Sequence, residues 1–233
     1  PGVPLTAPFV EQAKARGIPI LGELELACRF CGSKIIAVTG TNGKTTVTTL
    51  LRDMIAACGH SVALAGNNDI PLSQVVMEKE QPRWVALEVS SYQLETVEQF
   101  HPHIAVVLNV TPDHLSRHGS LERYADVKSR IFMNQQAGDV AIRNADDPMA
   151  RGMPAPEGTG VMFFSAKTAG PETCYADDAH IYIGGARVAS RADATLPGDH
   201  NLVNVLAALA AMHAGGFDWR RTLEGLRQFR GVE

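Results

Sequence analysis

Ile35-Ile36-Ala37-Val38-Thr39-Gly40-Thr41-Asn42-Gly43-Lys44-Thr45-Thr46 carries an apolar, β-branched stretch through a glycine turn into Lys-Thr-Thr. The first five residues read as a buried strand. Beyond Thr45, residues Val47, Leu50, Leu51, Met54, Ile55 and Cys58 recur at the i, i+3, i+4 spacing of a helix with one buried face. A strand, a glycine turn and a helix N-terminus in that order form a phosphate-binding loop. Backbone N–H groups and the positive end of a helix meet an anion there, and a lysine adds a full charge. A nucleoside triphosphate is therefore the leading ligand. The general phosphate-loop pattern has a glycine five positions before the Gly of its Gly-Lys pair. Here Val38 stands there, and the spacing is Gly40-x-x-Gly43-Lys44-Thr45. Two glycines for close backbone approach remain, with Lys44 for the outer phosphates and the Thr45 hydroxyl for Mg2+. The plainer alternative is a tight strand–helix turn with a solvated lysine.

From Lys34 onward strand and helix patterns alternate. Strands are expected at Ile35–Thr39, Val62–Ala65, Trp84–Val89, Ile104–Asn109 and Val140–Arg143. Helices are expected at Thr45–Cys58, Leu72–Lys79, Tyr92–Gln99, Leu121–Gln135 and Asp147–Arg151. Near-continuous apolar strands between helices predict an α/β fold of the P-loop type: a mostly parallel sheet flanked by helices. Met153 to Gly160 reads as a loop. Ile181 to Val188 reads as a β-hairpin turning at Gly184-Gly185, which makes a small hairpin subregion near 160–195. Two helices follow, at about Asn201–Ala214 and Asp218–Phe229. Ahead of the sheet, Pro8–Arg16 forms a short helix punctuated by Gly17, and Leu24–Phe30 a further helical turn. These are too short to bury a core alone.

The 233 residues carry a net charge of -4 and no basic run, which gives no sign of a nucleic-acid or membrane-surface partner. No apolar stretch is long enough for membrane insertion and no signal peptide is read, so the expected location is cytoplasmic. Position 1 is Pro and the chain stops just after a helical pattern, so a longer parent is expected. Of four cysteines, Cys28 and Cys31 have a C-x-x-C spacing but no second pair to complete a zinc site. Reduced, structural cysteines are the favoured reading.

In an open α/β sheet, ligands bind beyond the carboxyl ends of the strands. Glu88 and Asn109 end two of the predicted strands there, and Thr111-Pro112-Asp113-His114 follows in the next loop. A carboxylate and an imidazole at that edge suit a metal held by phosphate oxygens. Lys128 falls in the middle of the apolar stripe Leu121, Tyr124, Ala125, Ile131, Phe132, where a lysine must pair, snorkel or lose its charge. A pair with Glu88 and a CO2-modified amine are both open on spacing alone. Asn201 and Asn204 lie one turn apart on a helix, able to cap it or to read a planar heterocycle such as adenine.

The chain resembles the Mur ligase family. The resemblance rests on Gly40-Thr41-Asn42-Gly43-Lys44-Thr45-Thr46, Gly66-Asn67, Leu87-Glu88-Val89-Ser90-Ser91-Tyr92-Gln93-Leu94-Glu95 and Asn109-Val110-Thr111-Pro112-Asp113-His114. Tyr124-Ala125-Asp126-Val127-Lys128, Asn144-Ala145-Asp146-Asp147 and Gly198-Asp199-His200-Asn201 complete it. Within that family the Glu-x-Ser-Ser-Tyr-Gln-Leu-Glu stretch is similar to the members that add D-glutamate to UDP-N-acetylmuramoyl-L-alanine in peptidoglycan synthesis. Those members usually read Gly-Asn-Ile-Gly where this chain has Gly66-Asn67-Asn68-Asp69.

The resemblance implies an ATP- and Mg2+-dependent amide ligase working through an acyl phosphate. It implies that residues 1–32 are the tail of an N-terminal UDP-binding domain and 33–233 a central ATPase domain, with the C-terminal domain absent and the protein a monomer. It further implies that Gly40, Thr41, Asn42, Gly43, Lys44, Thr45 and Thr46 hold the nucleotide phosphates, and that Asn201 and Asn204 approach the adenine. Thr45, Glu88, His114 and Lys128 would serve the metals, Lys128 as a carbamate. Asn67, Ser90 and His114 would serve the substrate, and Lys44, His114 and Lys128 the chemistry. Folylpolyglutamate synthases share the loop and stand as the enzymatic alternative. A nucleotide-binding switch module is the non-enzymatic one.

Overall fold

The computed structural model describes residues 2–67, 70–194 and 196–232; Asn68 and Asp69 of the departing motif lie outside them. Helices α1 (Pro8–Ala15) and α2 (Glu23–Cys28) precede β1 (Lys34–Thr39). Then come α3 (Lys44–Ala57), β2 (Val62–Gly66), α4 (Leu72–Val76), β3 (Trp84–Glu88), α5 (Ser91–Leu94) and β4 (Ile104–Val107). Helices α6 (Leu115–His118) and α7 (Leu121–Ser129) lead to β5 (Val140–Asn144), α8 (Pro148–Arg151), β6 (Gly160–Ser165), β7 (Thr173–Ala176), β8 (His180–Ile183) and β9 (Ala186–Ser190). Helices α9 (Asp199–Ala214) and α10 (Trp219–Gln228) end the described chain.

The nine strands form one sheet in the order β2-β3-β1-β4-β5-β6-β7-β8-β9. All pairs from β2 to β7 are parallel, and β7–β8 and β8–β9 are antiparallel. The expected mostly parallel α/β sheet is thus present. The expected β-hairpin turning at Gly184-Gly185 is present as β8–β9 and extends the main sheet. One part differs from the sequence reading. Gly160, read as the end of a loop, starts β6, which pairs with β5 from Val140↔Gly160 onward.

Alternation along β1 divides the core. Ile36 and Val38 face a layer containing Val47, Leu50, Leu51 and Met54 of α3, together with α9 and α10. Ile35 and Ala37 face the opposite layer, with Leu24 and Ala27 of α2, Leu72 and Val75 of α4, and Tyr124 and Ala125 of α7. Helix α9 is strongly apolar, and ten of its residues are buried.

Besides the packing of Leu24 and Ala27, helix α2 is tied to this unit by a buried carboxylate. Glu25 is fully buried and accepts hydrogen bonds from the backbone N–H groups of Glu98 (2.8 Å), Gln99 (3.1 Å) and Phe100 (3.2 Å) and from Arg29 (2.8 Å). Burial alone would raise its pKa, but the amides and Arg29 outweigh it and hold the carboxyl below its ordinary value. The sign follows: a depressed folded-state pKa contributes stability above the unfolded value, and that contribution is lost as pH falls through it toward the folded one. Glu25→Gln is expected to lower stability by about 2 kcal/mol at pH 7, since three amides lose a charged acceptor. Chemical denaturation should also show a flatter loss of stability below pH 5 in the variant than in the parent. Equal slopes would remove the role given to this carboxylate.

Candidate active site

The parallel register sets the carboxyl ends of the central strands side by side: Gly66↔Glu88, Val38↔Glu88 and Thr39↔Val107. The chain reverses its direction of sheet growth between β1 and β4, the crevice where open α/β sheets hold ligands. The loop of residues 40–43 lies there. Its last residue, Gly43, has φ +88, and a Cβ on it would come within 2.3 Å of Asn204 Oδ1. Only glycine meets both conditions. Gly43 then starts α3, whose first turn presents Lys44 and Thr45.

Lys44 Nζ donates to Gly40 O (3.1 Å) and Thr41 O (2.9 Å). Lys128, 1% exposed, reaches the same loop from α7 and donates to Gly40 O at 3.0 Å. Two ammonium groups therefore meet at one carbonyl oxygen. Burial first, and the neighbouring Lys44 charge second, push the Lys128 amine down to about 7, with Asp113 opposing. Burial likewise lowers Lys44, opposed by Glu88 and Asp113. Among the described residues Lys128 has no carboxylate at ion-pair distance. The pair with Glu88 allowed by the sequence is replaced by the backbone contact and by the Tyr124 ring, whose centroid lies 4.4 Å from Nζ.

Glu88, 3% exposed, turns instead to Thr45 and Asn67. Oε2 accepts from Thr45 Oγ1 (2.8 Å) and Oε1 from Asn67 Nδ2 (3.0 Å). Asn67 is also fixed through its backbone N–H to Glu88 O (2.8 Å). Thr46 is half-buried on the first turn of α3. Ser90 caps α5, accepting from Gln93 N, while the Gln93 side chain accepts from Ser90 N.

His114 is exposed with φ +53 at the start of α6, its Nε2 3.5 Å from Asp113 Oδ2. No hydrogen bond joins it to Glu88 or Lys128 among the described residues, which hold no cluster of three or more His, Cys, Asp or Glu suited to a metal. Aromatic packing provides the connection: His114 lies 5.1 Å from the Tyr92 ring and 6.5 Å from that of Tyr124.

Of the two asparagines on α9, Asn204 lines a cleft of about 490 Å3 with Asn42, Gly43, Asn109, Thr111 and His200. Asn201 is turned away, its Nδ2 donating to Pro197 O at 2.8 Å.

Sequence reading missed the support around His114. His118 is buried, with Nε2 3.1 Å from Ser91 Oγ and Nδ1 3.7 Å from Glu95 Oε1. Arg117 pairs with Glu95 at 2.6 Å and covers the Tyr92 ring at 4.5 Å. The signal was the i, i+4 spacing of His114 and His118, and of Tyr124 and Lys128, on successive helices. Cys28 shows no reactive character: burial and Glu25 push its thiol up to about 12.

Fold and loop together define a nucleotide-phosphate-binding α/β domain. Residues 38–212 match the family model of the Mur ligase middle domain, and the chain belongs to that family. It is 45% identical, over its whole length and 52% of the relative, to the UDP-N-acetylmuramoylalanine--D-glutamate ligase of Pelotomaculum thermopropionicum. It is 40% identical over the same shares to the ligase of the same name from Caldanaerobacter subterraneus. The solved structure of a UDP-N-acetylmuramoyl-L-alanyl-D-glutamate--2,6-diaminopimelate ligase superposes with a TM-score of 0.72 at 27% identity, covering 90% of this chain and 49% of that one. The chain thus spans about half the length of the curated relatives it matches.

Proposed function

We propose that residues 33–233 form the ATP-binding middle domain of a ligase that joins D-glutamate to UDP-N-acetylmuramoyl-L-alanine, with residues 1–32 the tail of a preceding UDP-binding domain. The observation that carries this reading is the meeting of Lys44 and Lys128 at Gly40 O, 84 residues of chain folding back to bring a second buried amine to the phosphate loop. A switch module has no use for a lysine carbamylated at that position, whereas a ligase that must hold metal and phosphate together does.

A carboxylate is a poor acyl donor to an amine, and phosphoryl transfer from ATP makes it a good one. Substrate carboxylate and γ-phosphate repel each other, and Lys44 at the loop offsets that repulsion. Thr45 Oγ1 and Glu88 Oε2, 2.8 Å apart at the phosphate side of the loop, are the hard oxygen donors that Mg2+ prefers. With only these two in contact, the rest of the shell falls to phosphate oxygens and water, the usual arrangement for this ion. When bound, Mg2+ would neutralise phosphate charge there, and His114 and a carbamylated Lys128 would serve a second metal site. Lys128 is read as the site of carbamylation. The neutral amine attacks CO2, a C–N bond forms, one N–H proton leaves to water, and a carboxylate-like group replaces a cation beside Lys44. Asn204 at the cleft supports an adenine contact, and Asn67 at Glu88 a substrate contact.

The test uses the chain extended to the full length of its relatives, with ADP release as readout. Release is expected with UDP-N-acetylmuramoyl-L-alanine and D-glutamate together, and not with a folate and L-glutamate. Absence of release dependent on the first pair overturns the reading, and release with the second pair points to the folylpolyglutamate alternative.

A further inference from the structure

The side chain of Asn109 makes three hydrogen bonds, all to the phosphate loop. Its Oδ1 accepts from the N–H groups of both Thr41 (3.0 Å) and Asn42 (2.9 Å), and its Nδ2 donates to Asn42 O (3.1 Å). Its backbone carbonyl takes the Thr41 N–H as well, at 3.0 Å. One primary amide therefore satisfies both the N–H and the C=O of Asn42 in a loop that has no secondary structure to do so. Asn109 stands two residues beyond β4, and that segment is itself held rigidly. Asn144 Nδ2 donates to Leu108 O at 2.8 Å, and Val110 N donates to Asp147 Oδ2 at 2.8 Å. Asp147 also caps α8, accepting from Ala150 N at 2.9 Å. The Asn144-Ala145-Asp146-Asp147 segment thus fixes residues 108–110, and Asn109 passes that fixed position to the loop.

We propose that Asn109 is a positioning residue for nucleotide binding: its amide acts as a template that keeps residues 40–43 in the shape that receives phosphate. The role rests on the ATP-binding reading given above. Preorganisation of this kind acts on the part of the ligand that the loop touches and on nothing else. Although Asn109 lines the cleft beside Asn204, its amide oxygen and nitrogen are both bonded to the loop, so adenosine, which lacks phosphates, is the internal control.

Two measurements test this. The first needs no nucleotide. The Asn42 N–H has Asn109 Oδ1 as its hydrogen-bond partner, so amide exchange at Asn42 should be protected in the parent chain. It should be about tenfold faster in Asn109→Ala, the loss of one hydrogen bond. Unchanged exchange overturns the template. The second compares binding of Mg-ATP and adenosine by titration calorimetry in the parent, Asn109→Ala and Asn109→Asp. Asn109→Ala is expected to weaken ATP by about 30-fold and leave adenosine within twofold, two to three hydrogen bonds being lost from the loop. Asn109→Asp keeps the acceptor but loses the donor to Asn42 O and adds a negative charge, so ATP should weaken again with adenosine unaffected. Equal weakening of ATP and adenosine, or no weakening of ATP, overturns the proposal. A parent chain that binds no ATP would instead overturn the nucleotide-binding reading itself, while the exchange result still decides the template.

Discussion

On the proposed reading, Lys128→Ala in the chain extended to the full length of its relatives is expected to lower ADP release by about a thousandfold, the upper end for removing one stabilising group from a reacting centre. Formate or acetate at high concentration should restore part of that rate to the alanine variant and none to the parent. The reasoning starts from burial. A 1% exposed ammonium that shares Gly40 O with Lys44 is poorly placed as a cation, because both desolvation and like charge oppose it. Carbon dioxide addition reverses the sign of the interaction, turning repulsion from Lys44 into attraction. A free carboxylate in the space vacated by the side chain can supply the same oxygens. A second measurement does not depend on turnover. Bicarbonate labelled with 13C should give the parent a carbamate resonance that disappears in Lys128→Ala and persists in Lys44→Ala. Rescue by chloride as well as by formate, or a carbamate signal surviving in Lys128→Ala, would remove the modified lysine from the scheme.

The site was readable where it is contiguous and opaque where it is made by distant groups. The run from Ile35 to Thr46 and the buried face of α3 follow from spacing alone, since local periodicity and tertiary burial agree there. Helix α5 does not. Its pattern extends over Tyr92–Gln99, yet the helix stops at Leu94, and the N–H groups of residues 98–100 turn to the Glu25 carboxylate instead of continuing the turn. A residue more than seventy positions earlier overrides the local preference. Strands β6 and β7 were missed for a related reason. Val161, Met162 and Phe163 are only partly buried, and the four residues of β7 are too few to display a period. Lys128 was conspicuous as a charge in an apolar stripe, but its partner is a backbone carbonyl, which no side-chain pattern can reveal. Asn201 and Asn204 look equivalent in sequence, and a difference of three residues rotates one toward Gly43 and the other back onto Pro197.

Gly66→Ala should be among the most destabilising single substitutions available in the sheet, by roughly 3 kcal/mol, or about 6 to 12 °C in Tm for a domain of this size. Two separate penalties combine. The residue has φ +112, beyond the range that alanine tolerates, and a Cβ there would lie 2.0 Å from Glu88 O and 2.9 Å from Glu88 C. Neither atom belongs to a flexible side chain, so β2 and β3 must separate at their carboxyl ends. Gly138 distinguishes the two penalties. It has φ +98 with nothing within 4 Å of the position a Cβ would take, so Gly138→Ala carries the backbone strain without the collision. That variant should lose only about 1 kcal/mol. The excess loss at Gly66 measures how closely the chain is pressed against Glu88. It should be accompanied by weaker ATP binding, because the same displacement moves the carboxylate that holds Thr45 and Asn67. Equal melting temperatures for the two variants would mean that the strand ends part at little cost. Glu88 would then owe its position to Thr45 and Asn67 rather than to the strand beside it.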